Sequence, residues 1–395
     1  MAGKFSSPPL RKAGDLADAL VTFVAAVTLT LTAIFLITLP ANGSSVASRD
    51  FVEYWATGQQ LVHHANPYDW NQMKAIERDA GLVPNGALIM FNPPWALPLV
   101  FLLGFCGVRV AFILWTLLLV CCLGAAVRMI RTLHGSPIGT IHWIGLAFPP
   151  ALACLIMGQT SFFPLLGVVT FFRLHTTRPF VAGLSLWLCA LKPHLLLPFI
   201  VVLLAWILIS RSYKIIAGFV CALVLTTAIA YLLDPHAWSE YSNMMRSPLV
   251  RDHYVPSLGF AIRGAIQPQA VWIEYIPAAL GCAWALVYFW HRRNNWNWTA
   301  NGSLVLMVSL LMAPYCWFYD QTLAIPAVMR GAFITRFRWA IAVFALLMLL
   351  VDVEFCKVDV ASPVFLWNMP VWLAWYLLVS ASPSNRSVQP AVSPA

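Results

Sequence analysis

Charge is what this chain has least of. Asp, Glu, Lys and Arg make up only 10% of its 395 residues, against about 25% in soluble domains. That shortage excludes a soluble enzyme, and no nucleic-acid partner is expected. An internal repeat is also lacking, which argues against the paired halves common in transporters. The nine cysteines have no paired spacing of the metal-binding kind, and most sit singly inside apolar runs as core residues. Only Cys316 and Cys356 approach a polar face; they could bridge, but nothing else in the sequence supports it.

What is there in abundance is apolar surface. Hydrophobic residues reach 61%, and apolar runs separated by short polar breaks recur along almost the whole chain. With about 20 apolar residues needed per span, residues 1–380 read as one all-α polytopic membrane helical bundle of about 10–13 membrane helices. The run from Leu20 to Leu39 follows Lys4, Arg11 and Lys12 but is longer than a signal-peptide core, so it reads as an uncleaved first span. Residues 381–395, rich in Ser and Pro, are expected to form a disordered tail.

The few charges are sorted by sign. Five short breaks carry only basic residues: Arg128 and Arg131; Arg173 and Arg178; Arg211 and Lys214; Arg292 and Arg293; and Arg330, Arg336 and Arg338. Lys and Arg on short loops resist translocation, so these breaks and the N-terminus are expected on the cytoplasmic side. After Asp18, every carboxylate lies between these breaks. Residues 40–92, 234–270 and 352–361 are thus expected outside, with Glu274 and Asp320 at outer span ends, in a plasma (inner) membrane protein. The parity of the loops leaves Pro93–Phe105 as a half-helix that dips without crossing, begun by Asn92-Pro93-Pro94. Between Pro179 and Ser210, two short helices would meet at Lys192-Pro193-His194.

On the acidic side the polar residues are of unusual kinds. Arg49-Asp50-Phe51-Val52-Glu53-Tyr54-Trp55 leads into Asn66-Pro67-Tyr68-Asp69-Trp70, carboxylates and aromatics together beside a membrane. Residues 51–62 mix apolar and polar side chains as an interfacial amphipathic helix does. In that setting Asp50 could simply cap the helix, with Tyr54 and Trp55 anchoring it at the lipid headgroups. Three more polar segments fall on the same side: Met157-Gly158-Gln159-Thr160-Ser161, Lys192-Pro193-His194, and Pro314-Tyr315-Cys316-Trp317-Phe318-Tyr319-Asp320-Gln321. A lysine flanked by long apolar segments is costly unless it has a task. Together the segments describe a polar cavity with a base and a cation. A metal site using Asp50, Glu53, Asp69 and Asp320 is the competing use of the acids, but no compact ligand spacing is present, so no metal and no cofactor is expected.

Asp50-Phe51-x-x-Tyr54-Trp55-x-x-Gly58, Asn66-Pro67-Tyr68-Asp69, Asn92-Pro93-Pro94, Gly158-Gln159, Lys192-Pro193-His194, Pro256-Ser257-Leu258 with Arg263, and Pro314-Tyr315 with Tyr319-Asp320 occur in an order that resembles glycosyltransferase family 87. The resemblance covers residues 15 to 380 and lies in the order of the motifs, since none is specific alone. It implies a GT-C-type integral-membrane enzyme that transfers a sugar, typically mannose, from a polyprenyl-phosphate donor to a lipid or glycan acceptor, within membrane lipid. It further implies that Asp50 is the catalytic base, with Glu53 in reserve. Lys192, His194, Arg251 and Arg263 are then candidates for the donor phosphate, and Tyr54, Tyr68, Asp69, Gln159, Tyr319 and Asp320 for positioning the acceptor or sugar. Such a single displacement would invert the anomeric centre. Asn92 stands where many members carry tyrosine, which puts the role of that hydroxyl in question. The alternative is a transporter or lipid flippase with an outward polar cavity.

The charge pattern makes a direct prediction. Single cysteines at Arg178 and Arg263 should react with an impermeant thiol reagent from opposite sides of the membrane; labelling of both from outside would overturn the orientation.

Overall fold

A computed structural model describes residues 9–41, 49–81, 88–137, 139–247 and 257–381. Arg251 and the tail beyond residue 381 lie outside the described residues. The fold is all-helical, with no β-strand among the described residues. Six helices are long and apolar enough to cross a membrane: Ala17–Thr38, Val108–Leu133, Pro193–Ser210, Tyr213–Leu233, Val271–Asn295 and Pro363–Ser380. Four shorter apolar helices accompany them, Pro94–Phe105, Phe162–Leu174, Pro179–Leu191 and Trp298–Leu311. The expected helix number counted membrane helices of both kinds, the Pro93–Phe105 half-helix among them. At the α-helical rise, Pro94–Phe105 covers only about 20 Å, short of a hydrocarbon core of about 30 Å.

The basic breaks gather at one end of the bundle. Thr22 hydrogen-bonds Thr140 at 2.7 Å, Arg338 reaches Asp18 at 3.5 Å, and Arg173 donates to Thr132. The N-terminal helix and three of the breaks therefore meet there. Cations at helix C-termini suit the dipole of Val108–Leu133 and Phe162–Leu174, whose last turns carry Arg131 and Arg173.

At the far ends of these same two helices the chain is broken. Residues 51–62 form the expected helix, but it is not interfacial. Phe51, Val52, Tyr54, Trp55, Ala56, Thr57, Gly58, Gln60 and Leu61 are all buried, so every face of it meets protein. Tyr54 and Trp55 are accordingly not membrane anchors. Trp55 Nε1 donates to the Cys106 carbonyl at 2.8 Å, and Gln59 Nε2 to the Gly104 carbonyl at 2.8 Å. These bonds satisfy carbonyls at the end of the short Pro94–Phe105 helix, which has no further turn to accept them. The second helix of the loop, Trp70–Asp79, starts on Asp69, whose Oδ1 accepts from Gln72 N at 2.8 Å. It buries Met73 and Glu77, and Glu77 Oε2 accepts from Leu88 N at 2.9 Å, folding the loop back on itself.

Gly58 and Gly104 let the two short helices touch backbone to backbone. A Cβ on Gly104 would stand 2.1 Å from the Gly58 carbonyl oxygen, and one on Gly58 would stand 2.6 Å from that of Val100. Close approach of this kind is how helices pack when no water drives them together. Gly104→Ala should lower the thermal unfolding midpoint of the detergent-solubilised protein, with a cost of about 1–3 kcal/mol typical of overpacking. An unchanged midpoint would show that the crossing is looser than drawn.

Candidate functional site

The site is assembled where helices stop. Pro149–Met157 ends on Gly158, whose φ of +74° lies in the left-handed region where glycine carries no side-chain penalty. A Cβ there would also stand 2.6 Å from that of Phe51. Trp115 Nε1 donates to the Gly158 carbonyl at 2.6 Å, and Ser161 begins the next helix, Phe162–Leu174. This turn carries Gln159 and Ser161 into the interior. A second break falls at Lys192, between helical stretches ending at Leu191 and starting at Pro193. Proline after it removes the N–H and the α-conformation that would continue the helix. The carbonyls so freed are taken up: Asn92 Nδ2 donates to Leu191 O at 2.8 Å and Trp95 Nε1 to Ala190 O at 3.0 Å. Asn92 thus has a structural task that a side-chain donor can perform there. The third break is the Phe318–Ala324 helix, a 3₁₀ segment where Asp320 Oδ2 accepts from Trp317 N at 3.0 Å.

Four segments distant in sequence converge at these breaks. Lys192 Nζ lies 2.7 Å from Asp320 Oδ1, 3.0 Å from Gln159 Oε1 and 3.2 Å from Ser161 Oγ. Ser161 Oγ in turn donates to Asp320 Oδ1 at 2.6 Å. An ammonium has three N–H donors, and here each has a protein acceptor. Tyr54 OH donates to Gln159 Oε1 at 2.9 Å. With Lys192 and Tyr54 both donating to its oxygen, the Gln159 amide can turn only one way. Its Nε2 therefore faces Asp50 and donates to Oδ2 at 2.9 Å.

Asp50 stands at the N-cap position of Phe51–Val62 but makes no side-chain cap bond. The capping alternative weighed above is overturned: its carboxylate faces Gln159 instead of the helix N–H groups. It is only partly buried, whereas Gln159, Ser161, Lys192 and Asp320 behind it are buried. Burial pushes its pKa up, opposed by the Gln159 hydrogen bond, the Lys192 charge and the nearby Tyr319 hydroxyl. Glu53 is pushed well above the usual carboxylate range, first by burial and then by the Asp50 charge. When two such carboxyls compete for one negative charge, the one with donors aimed at it keeps it.

The other expected residues take varied places. Tyr319 lies under the Lys192 ammonium, 5.1 Å from ring centroid to Nζ. His194 stacks on Tyr315, centroids 3.7 Å apart. Tyr68 meets Tyr241 edge-on at 5.5 Å, while Asp69 is committed to its helix cap. Arg263 is buried and paired with Glu274 at 2.6 Å; its open neighbour Gly264 is the better place for the topology label. Cys316 and Cys356 are both free thiols. Ser161 and Trp115 were missed. Ser161 had a signal in the run of three polar residues between apolar helices, but Trp115 had none, being one more apolar residue in a long span.

A helical membrane bundle that gathers Asp50, Glu53, Asp320 and one buried lysine into one polar cluster is built as a membrane enzyme is built. The model of glycosyltransferase family 87 matches residues 91–314, more than half of the chain, and the protein belongs to that family. The match takes in Gln159, Lys192 and Arg263, while Asp50 and Asp320 flank it. No curated protein and no solved structure matches the chain.

The Lys192–Asp320 pair makes a stability prediction. Lys192→Met or Asp320→Asn alone leaves a buried partner uncompensated and should cost about 3–5 kcal/mol. Combining Lys192→Met with Asp320→Asn should recover part of that loss in thermal unfolding. If the double variant is as unstable as the sum of its parts, the two side chains are not an energetic pair.

Proposed function

We propose that this glycosyltransferase moves a hexose, mannose by the family resemblance, from a polyprenyl-phosphate donor to an acceptor hydroxyl at the outer face of the plasma membrane. Asp50 is the base. The observation that carries this reading is its carboxylate, released from helix capping, held by one amide N–H from Gln159, and set at the rim of an otherwise closed polar cluster.

The chemistry follows from what a sugar phosphate needs. The acceptor oxygen attacks the anomeric carbon, its proton passes to Asp50, and the C–O bond to phosphate breaks with its electron pair leaving on the phosphate. A carboxylate within hydrogen-bond reach can take that proton as the transition state develops. Phosphate is already a good leaving group, so no acid is required to protonate it, and attack from the opposite face inverts the centre. Glu53, pushed well above the usual carboxylate range first by burial and then by the Asp50 charge, stays in reserve. Lys192 is the buried cation of the cluster whose charge Asp50 feels, and a donor phosphate would recruit it by exchange with one of its protein acceptors. Gln159 acts through Asp50, and Tyr54 acts through Gln159.

The donor's lipid favours a site bordered by greasy surface. A crevice of about 110 Å³ lined by Leu258, Ala261, Leu310, Leu311, Phe365 and Met369 opens beside Cys316 and Gln321, next to Asp320 in sequence. It is a suitable berth for the first prenyl units.

Activity against pH tests the assignment with the sign fixed in advance. Asp50 must be deprotonated to act, so kcat/KM should fall as pH drops through its raised pKa, above the ordinary aspartate value of about 4. Gln159→Leu removes an N–H that favours the carboxylate, so the acid limb should move to higher pH. Asp50→Asn should lose about 10²–10⁴-fold in rate while keeping donor binding, and EDTA should leave the parental rate unchanged. Transfer by Asp50→Asn at the parental rate would sink the reading.

A further inference from the structure

A second group of polar side chains lies apart from the Asp50 cluster. Tyr68, from the first loop, meets Tyr241 on the Ala237–Met245 helix. Asp234 stands at the end of Tyr213–Leu233, and its carboxyl and that of Glu240 lie side by side. Tyr68 is only 4% exposed, and its hydroxyl has no hydrogen-bond partner among the described residues. That hydroxyl is close enough to feel Tyr241, Asp234 and Glu240. Asp234 Oδ2 and Glu240 Oε2 are likewise buried with no donor among the described residues beyond a proton the two carboxyls can share. Trp95 and Trp238 add a further aromatic pair, centroids 5.4 Å apart.

Unmet buried acceptors are costly, and a ligand that brings O–H donors relieves them. Aromatic rings beside them offer apolar faces to C–H groups. Carboxylates repel a phosphate, so the donor's charged group has no place here. Nor, among the described residues, do three His, Cys, Asp or Glu side chains gather in a way that would hold a metal ion.

The group is joined to the Asp50 cluster through one wall. Tyr315 stands between them, near enough to feel Asp320 on one side and Tyr241 on the other, and it carries the stacked His194. Tyr241 OH donates to Phe91 O at 3.3 Å, next to Asn92, which closes the helix end before Lys192.

We infer that Tyr68, Tyr241, Asp234 and Glu240 form an acceptor subsite for a neutral sugar ring beyond the one that receives the transferred unit. The inference deepens the transferase reading and rests on it for the word acceptor. The enzyme then prefers acceptors that already carry more than one sugar.

Calorimetric titration of the full chain in lipid nanodiscs, free of sugar-based detergent, tests this with methyl α-mannoside, α-mannobiose and α-mannotriose, and with methyl α-glucoside, maltose and maltotriose. In one series the oligosaccharides should bind about tenfold tighter than the monosaccharide, a factor within reach of one or two hydrogen bonds. Asp234→Asn with Glu240→Gln, and separately Tyr68→Phe, should erase that difference. Tyr68→Phe keeps the ring and its packing, so its effect isolates the hydroxyl. Asp50→Asn should keep the difference while losing transfer. Length-dependent binding that needs the pair, in a protein that transfers no sugar, would leave the subsite standing and remove the transferase reading. The inference falls if no saccharide binds, if the variants bind as the parent does, or if the pair takes up Ca²⁺ and the saccharides ignore its loss.

Discussion

One buried ion pair holds the three helix breaks in register. Lys192 and Asp320 lie in segments where the chain has left regular α-geometry, in a bundle whose surroundings offer no water to free backbone groups. Broken helices survive in such a setting only where protein satisfies what the break exposes. Here Asn92 and Trp95 take the carbonyls before Lys192, Trp115 takes that of Gly158, and Asp320 takes the N–H of Trp317. Each break is thereby made tolerable, and the ion pair fixes the breaks relative to one another. Without it Gln159 would lose one of the two donors that set its amide, and Asp50 would lose the N–H that faces it.

The expense of this arrangement explains where the rest of the polar groups went. Charges are scarce in the chain, and those on the basic breaks sit at the far end of the same helices that carry Ser161 and Trp115. A helix such as Phe162–Leu174 therefore has a polar catalytic-type start and a basic finish, with nothing ionic between them. That division lets the cluster keep a strong local field, because Lys192 is answered by Asp320 at contact distance, while Arg49 adds a second cation beside Asp50.

Much of this was legible before any coordinates. The all-helical bundle followed from apolar runs, the Phe51–Val62 helix from its mixture of side chains, and the two weak places from proline: Asn92-Pro93-Pro94 and Lys192-Pro193. The surroundings of Phe51–Val62 were not legible. An amphipathic pattern says that one face seeks apolar contact, but lipid and protein look alike to it, so Tyr54 and Trp55 read as anchors when they are core. The polar segments 157–161, 192–194 and 314–321 could be put on one side by charge alternation, yet their pairwise contacts depend on how three breaks nest. No local rule carries that information. Arg263 illustrates the same limit, since its partner Glu274 lies eleven residues on across a turn that the sequence does not announce.

The acids show how neighbours decide what a carboxylate is for. Asp69 lies beside free helix N–H groups and caps them; Glu274 meets an arginine and neutralises it; Asp320 meets a lysine, a serine and a backbone N–H and is saturated. Each of these has its lone pairs engaged by donors that belong to the fold. Asp50 begins a helix too, but a Gly158 turn pressed against Phe51 brings Gln159 to it and draws the carboxylate off the helix end. A carboxylate bonded on one oxygen by a neutral amide stays basic, where one in contact with lysine would be held ionised and give up much of its basicity. The interposed glutamine is therefore the feature that separates Asp50, the proposed base, from an ion-pair partner such as Asp320.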